Sequence, residues 1–249
     1  MQLEAADVWL GAGDAHDEAI ARAQQGEFLG TGMRPGHVLA RLPAGRLVEL
    51  LCEHHPRWQD LRVRLLSAMA RDQVRPTEAD ALQWATLDGC SLIQRDGLRA
   101  AVERKGNLTS VSLAFGCVLR EQDEPLGFCT LAALLEFGEE AGSEFVVSLD
   151  EVWIAPGARG TGLSKALAIA SAAVVRQFVH MIGAVFGEAI REGGLGADDV
   201  LRVQPVLEAD IKSESGARFA ALLERTLDEA LPSAVPGLAI DGIQFRFAD

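Results

Sequence analysis

The stretch Phe145 to Leu167, FVVSLDEVWIAPGARGTGLSKAL, decides the reading of this 249-residue chain. Its first half, up to Ile154, is rich in valine, isoleucine and aromatic residues and is too short for a helix before the breakers Pro156 and Gly157. That composition predicts a largely buried strand. Gly160 and Gly162 lack the Cβ atoms that would hold a ligand off the backbone. From Leu163 the run LSKALAIASAAVV consists mostly of good helix formers, so a helix opens directly after the loop. The first amides of a helix have no intrahelical acceptor and the helix dipole is positive there, which together make a site for an anion such as phosphate. Arg159 adds a full positive charge at the same lip.

A glycine pair between strand and helix also serves tight turns for steric reasons, so its spacing matters. A dinucleotide fingerprint would need a third glycine where Lys165 stands, and a P-loop would need Gly-Lys-Ser/Thr after four free positions; neither is present. The string does resemble, residue for residue, the cofactor-binding motif of the GNAT superfamily of acyl-CoA-dependent N-acyltransferases. That motif is Arg/Gln-x-x-Gly-x-Gly/Ala after a strand ending hydrophobic-x-Pro. Here it reads Arg159, Gly160, Thr161, Gly162, Leu163, Ser164 after Ile154, Ala155, Pro156, with Ser164 in place of the usual last Gly or Ala. The resemblance implies an α/β (α+β) fold with a mixed, mostly antiparallel central sheet flanked by helices, and acetyl-CoA or another acyl-CoA as cofactor, with no metal.

Composition sets the outer bounds. A hydrophobic content of 49% with 24% charged residues is that of a globular protein able to bury a sizeable core. Met1 to Leu10 carries acids and no long apolar run, so no signal peptide is expected. The apolar region from Leu163 to Ile190 is interrupted by Lys165, Arg176 and His180, which predicts a buried helix rather than a membrane span. Cys52, Cys90, Cys117 and Cys129 show no metal-ligand spacing, so reduced thiols in a cytoplasm are expected. The net charge of −13 disfavours nucleic acid as a partner and favours a basic or amine substrate, although acidity for solubility alone is the commoner cause. The Asn107-Leu108-Thr109 sequon carries no weight without a secretory route.

Along the chain, residues 1 to 44 hold scattered glycines, with one strand expected near Val38 to Leu42. Two uses of this part stay open, a cap over the acceptor site and an arm that pairs two copies as a homodimer. From Gly45 the pattern reads helical: RLVELLCEHH up to Pro56, PRWQDLRVRLLSAMARDQV up to Val74, and a further helix from Pro76 with Thr77 as N-cap and Asp80 in the capping-box position. Leu61, Leu65, Leu66 and Met69 share one face of the second helix. The adjacent His54 and His55 cannot act as an i, i+4 metal pair. Between Leu108 and Asp150 the period changes to strands, and three apolar-rich segments, joined at residues 122–124 and 138–143, predict an antiparallel meander. Then come a strand at Val200 to Ile211 kinked at Pro205, a helix after Ser213 and Ser215, and a last strand or strand pair turned at Asp241-Gly242. The resemblance covers residues 108–249, an acyl-CoA-binding core, and leaves 1–107 as an N-terminal region whose helices at 45 to 95 would be the family's two early ones. The helical region after the loop is about twice the length the family needs, so Arg176 to Gly196 reads as an insertion or an elongated helix.

Acylation of an amine by a thioester needs a neutral amine near the carbonyl carbon, donors for the developing oxyanion, and proton routes off the amine and onto the thiolate. In the superfamily the strand before the loop splays from its neighbour, and its free backbone groups bond the pantetheine arm and the thioester oxygen. The resemblance assigns that part to the main chain of Val152, Trp153 and Ile154, and the pyrophosphate to loop amides from Arg159 to Lys165. The consecutive acids Asp150 and Glu151 would point to opposite faces of a regular strand, so one of them serves as base and the other faces solvent. Asp150 is favoured, because it falls where some members of the superfamily place a carboxylate facing the reaction centre. The general acid departs from the family. Many members use a tyrosine in the next helix, where this tyrosine-free chain reads Phe219, Ala220, Ala221. Ser213 or Ser215 could orient a protonating water, against the more common role of a helix cap. Trp153 and Trp84 would line the acceptor groove or, more commonly for tryptophan, pack in the core. The expected activity is transfer of an acetyl or longer acyl group to an amine of a small molecule or protein. The alternative is a GNAT-fold module that binds CoA or a protein partner without catalysis.

Overall fold

The computed structural model describes residues 36, 38–51, 58–72, 91–95, 98–105, 108–138, 142–192 and 200–247. In chain order the elements are β1 (Val38–Leu42), β2 (Arg46–Leu51), α1 (Trp58–Arg71), β3 (Ser91–Arg95), β4 (Leu98–Lys105), β5 (Leu108–Glu121), β6 (Glu124–Gly138), β7 (Gly142–Ile154) and α2 (Leu163–Arg191). They continue with β8 (Leu201–Val203), β9 (Pro205–Ala209), α3 (Glu214–Ala230), β10 (Ala234–Val235), β11 (Leu238–Ile240) and β12 (Gln244–Phe247). A nine-stranded sheet runs in the order β1-β2-β5-β6-β7-β9-β12, with β4 and then β3 attached along the other half of the β5 edge. Pairing is antiparallel from β1 to β7 and parallel for β7 with β9 and β9 with β12. The fold class is the expected one, a mixed and mostly antiparallel sheet flanked by helices. Strands from before residue 107 and after it share this one sheet through β5.

Alternation along the meander sorts side chains to two faces. Phe115, Cys117 and Leu119 of β5, Cys129, Leu131 and Ala133 of β6, and Phe145, Val147 and Leu149 of β7 turn to a first face covered by α2 and α3. Val118, Phe128 and Trp153 turn to the second face, where Leu61, Leu65, Ala68 and Met69 of α1 cover them. Leu66, expected on the same stripe of α1, lies half-buried at its margin. Beyond the reach of α1 the second face carries the half-buried residues Ala114, Ala132 and Ser148.

Three expectations are corrected. Arg46–Leu51 is a strand, not a helix, because Val48 and Leu50 fill the first-face core while Leu51 fills the second. A strand covered on both sides loses its alternation, and with Glu49 the one polar residue between Leu47 and Leu51, periodicity cannot tell it from a buried helix. Ser91–Arg95, placed in the early helical region, is a strand that pairs antiparallel with β4. The segment from Asp241 does not reverse the chain. β11 and β12 run in the same sense in two different sheets, the first parallel to β8 and the second parallel to β9. Asp241 N donates to Val203 O at 3.0 Å and Ile243 N to Asp228 Oδ1 at 3.2 Å, which hold the crossing. Other sequence expectations, the helix from Pro76 with its Thr77 cap, Trp84, His54, His55, Cys52, Cys90, Asn107 and residues 1–35, lie outside the described residues.

The elongated helix is observed as one element. The 29 residues of α2 reach about 43 Å at 1.5 Å per residue. By length and composition it is apolar enough to cross a membrane, yet nearly all its apolar residues from Leu163 to Ile182 are buried, most of them in the first-face core. Its far half carries a second, three-stranded sheet in the order β10-β11-β8. That sheet approaches over Gly183 and Gly187, where an added Cβ would lie 2.6 Å from Val235 Cβ and 3.2 Å from Pro236 Cβ.

Candidate functional site

The site begins with an interruption in β7. Thr130 pairs with Glu151 and Leu131 with Leu149, so the register skips Asp150, an extra residue that makes a β-bulge. The bulge inverts the alternation: Phe145, Val147 and Leu149 turn to the first face, but beyond the bulge Val152 and Ile154 do so, while Trp153 turns to the second. Counted from Leu149, Asp150 falls to the second face, and counted back from Val152, Glu151 does too, so the bulge puts both on one face and not on opposite ones. The charge of Asp150 acts on Glu151 there. Glu151 is held above the ordinary carboxylate range, mainly by burial and next by the charge of Asp150, with Lys212 opposing.

The bulge coincides with the parting of two strands. Pairing of β7 with β9 ends at Leu149 and Ala209, while β7 stays paired with β6 as far as Ile154. Ala155 N donates to Leu126 O at 2.8 Å on the β6 side. Alternation then turns the N–H and C=O of Ile154 and Val152 to the opposite edge, which β9 has left. The far wall of this notch is the descent from β9 into α3, with Lys212 ion-paired to Asp210 at 2.9 Å.

At the end of β7 a single helical turn, Pro156–Ala158, leads into the glycine loop and α2. Gly160 and Gly162 take φ of 73° and 78°, a region that only glycine enters freely, and a Cβ on Gly160 would meet nothing within 4 Å. Arg159 N donates to Pro156 O at 3.3 Å and Lys165 N to Gly162 O at 3.0 Å, so these two amides, expected to serve an anion, are engaged within the turn. Among the described residues the amides of Gly160, Thr161, Gly162, Leu163 and Ser164 have no acceptor. Successive N–H groups around positive-φ residues at a helix start form an anion-binding concavity. Thr161 Oγ1 donates to Ala158 O at 2.7 Å, tightening the loop, and the side chain of Leu163 is buried in the core.

Arg159 is not aimed at that concavity. It donates from Nε to Ile154 O at 2.9 Å and from Nη2 to Asp72 Oδ2 at 2.6 Å, and Asp72 Oδ2 also accepts from Trp153 Nε1 at 3.1 Å. Trp153 is thereby a core residue, tilted against Phe128 at 6.4 Å, rather than a groove wall. Ser213 caps α3, accepting from Gly216 N at 3.0 Å, and Ser215 stands exposed beside it with the two hydroxyl oxygens 3.1 Å apart. Phe219 and Ala220 are buried, so the helix offers no side-chain acid there. Asp72 and Lys212 were not singled out in the sequence. Asp72 lies 87 residues from Arg159, with no local pattern to mark it.

No family model matches the chain, and no curated protein does. Among solved structures, the crystal structure of the ribosomal-protein-alanine N-acetyltransferase from Brucella melitensis biovar Abortus 2308 is similar over 70% of this chain and 87% of that chain, with 17% identity and a TM-score of 0.31. A likeness at that level leaves the site to be read from its own geometry.

Proposed function

We propose that this protein is an acyl-CoA-dependent N-acyltransferase, using acetyl-CoA and acting on an amine of a small molecule or protein by direct transfer in a ternary complex. One observation carries the reading: a strand that bulges and parts from its neighbour runs straight into a loop with five amides free of acceptors. The edge that β9 leaves, with the N–H and C=O of Val152 and the N–H of Ile154, suits the amide-bearing arm of a pantetheine, while Ile154 O is held by Arg159, and the amides of residues 160–164 suit the pyrophosphate. The bound thioester would supply an activated carbonyl carbon. Asp150 or Glu151, on one face beside the notch, would take the proton that the attacking amine loses, directly or through a water. A main-chain N–H on the free edge would donate to the thioester oxygen. The leaving thiolate would take its proton from water, since Phe219 stands buried where a tyrosine would act.

That buried Phe219 also favours a second reading, a module that binds CoA without catalysis. Calorimetry with CoA and acetyl-CoA, beside the variant Ser164→Glu, tests the binding that both readings share. An acid in the first turn suits the helix dipole, so this variant keeps the fold while putting a carboxylate where the pyrophosphate sits. Binding lost in Ser164→Glu is the expected result; absence of binding by the native protein would refute both readings. Thiol release with a panel of amines then separates them, with turnover in Asp150→Asn expected to fall about 100-fold for loss of a general base.

A further inference from the structure

Asp72 follows the last turn of α1, its N–H donating to Ala68 O at 3.2 Å and Met69 O at 3.0 Å. A carboxylate at a helix C-terminus opposes the helix dipole. The position therefore costs α1 stability, and what offsets that cost lies outside the helix. One oxygen of Asp72 accepts from both Trp153 at the end of β7 and Arg159 at the start of the glycine loop. The carboxylate is largely withdrawn from solvent at 17% exposure, whereas Arg159 is 51% exposed and reaches inward to it. With its Nε on Ile154 O, the guanidinium spans from the last residue of β7 to the end of α1. Three separate elements meet on this group.

Two consequences follow for anion binding. The positive charge of Arg159 is balanced by Asp72, so recognition of a phosphate falls to the backbone amides. Those amides belong to a loop with two positive-φ glycines, anchored at its far end by the buried Leu163 and at its entry by the Arg159 bridge. Ordering such a loop only when a ligand arrives would subtract from affinity. We propose that Asp72 is a positioning residue for the cofactor loop, holding Arg159 across the end of β7 so that the amides of residues 160–164 are set before the nucleotide binds. This rests on the acyl-CoA reading above, and it adds α1 to the elements that determine cofactor affinity.

The test is calorimetry of the full chain with CoA and, separately, with pantetheine, which lacks the nucleotide. The proteins are native, Asp72→Asn, Asp72→Ala, Arg159→Gln and the double variant Asp72→Asn/Arg159→Gln. Each single change is expected to weaken CoA about tenfold, the scale of one charge-assisted hydrogen bond, and to leave pantetheine unchanged. The double variant should be no weaker than the worse single one, because both remove the same bridge. A merely structural role for Asp72 would lower both affinities together and would overturn the inference. So would unchanged CoA affinity, and so would a gain, which would mean that Asp72 holds Arg159 back from the phosphate. If Asp72→Ala fails to fold, the exposed Arg159→Gln carries the same comparison. Native protein that binds no CoA removes the acyl-CoA reading itself, a result distinct from all of these.

Discussion

At the scale of single residues, the placement of Glu151 carries a cost in stability. Burial and the charge of Asp150 raise its pKa above the value it has in an unfolded chain. The folded state therefore binds that proton more tightly. Its stabilising effect is full below the unfolded pKa and is lost as pH rises through the raised folded value, so at neutral pH a charged Glu151 weakens the fold. Glu151→Gln should melt at a higher temperature than the native protein at about pH 8, with the difference vanishing near about pH 3, where the glutamate is neutral in both states. Calorimetric melts across that range check the sign. If Glu151 shares the base role with Asp150, the same variant should also turn over more slowly, the usual exchange of activity for stability at a functional site. A bulge is what makes this pair: in a regular strand the two acids would stand on opposite faces, with the charge of Asp150 turned away from Glu151.

At the scale of elements, the long helix and the small sheet explain one another. Gly183 and Gly187 leave a groove on α2 that Val235 and Pro236 enter, and Phe186 in turn lies over Gly237. Gly183→Val would drive a side chain into Val235, where even a Cβ lies at 2.6 Å, and should destabilise the protein by about 1–3 kcal/mol as overpacking does. Hydrogen exchange should rise first in β8, β10 and β11 while the meander stays protected. The length of α2 was legible in its unbroken alanine- and leucine-rich run, and so were the meander, β1, α1 and the Ser213 cap, because each has a local pattern with one covered face. β2 was not, since Val48, Leu50 and Leu51 are covered on two sides and erase the period. The fork at Gln204 and Asp241 was not legible either, because which sheet a short strand joins is decided by distant partners. Gly160 and Gly162 announced the loop, but the bulge at Asp150 depends on register with Thr130 and Leu131, and the bridge to Asp72 on contact between segments far apart in sequence.

At the scale of the whole molecule, charge places opposite demands on the two substrates of the proposed reaction. The chain carries 36 acidic and 23 basic residues, a net charge of −13. A negative molecule draws a cationic amine toward it and repels CoA, whose pyrophosphate makes it an anion. Within the site the two are treated separately. The carboxylates Asp150 and Glu151 share a face beside the notch, whereas the loop would meet a pyrophosphate with neutral amides and an arginine already balanced by Asp72. Anion binding by amides is local and persists when the long-range field is screened, while attraction of the amine depends on that field. The Debye length falls from about 30 Å at 0.01 M to about 8 Å at 0.15 M salt, so that range removes most of the field while leaving contacts intact. Raising salt across it should lower kcat/KM for a polycationic acceptor by about tenfold or more and leave that for a neutral amine analogue nearly level. The KM for acetyl-CoA should stay constant or fall, since screening relieves its repulsion. Steady-state rates at four or five salt concentrations, with each substrate varied in turn, read the two slopes. Parallel slopes for cationic and neutral acceptors would mean that the acidic balance of the chain serves solubility and plays no part in choosing the amine.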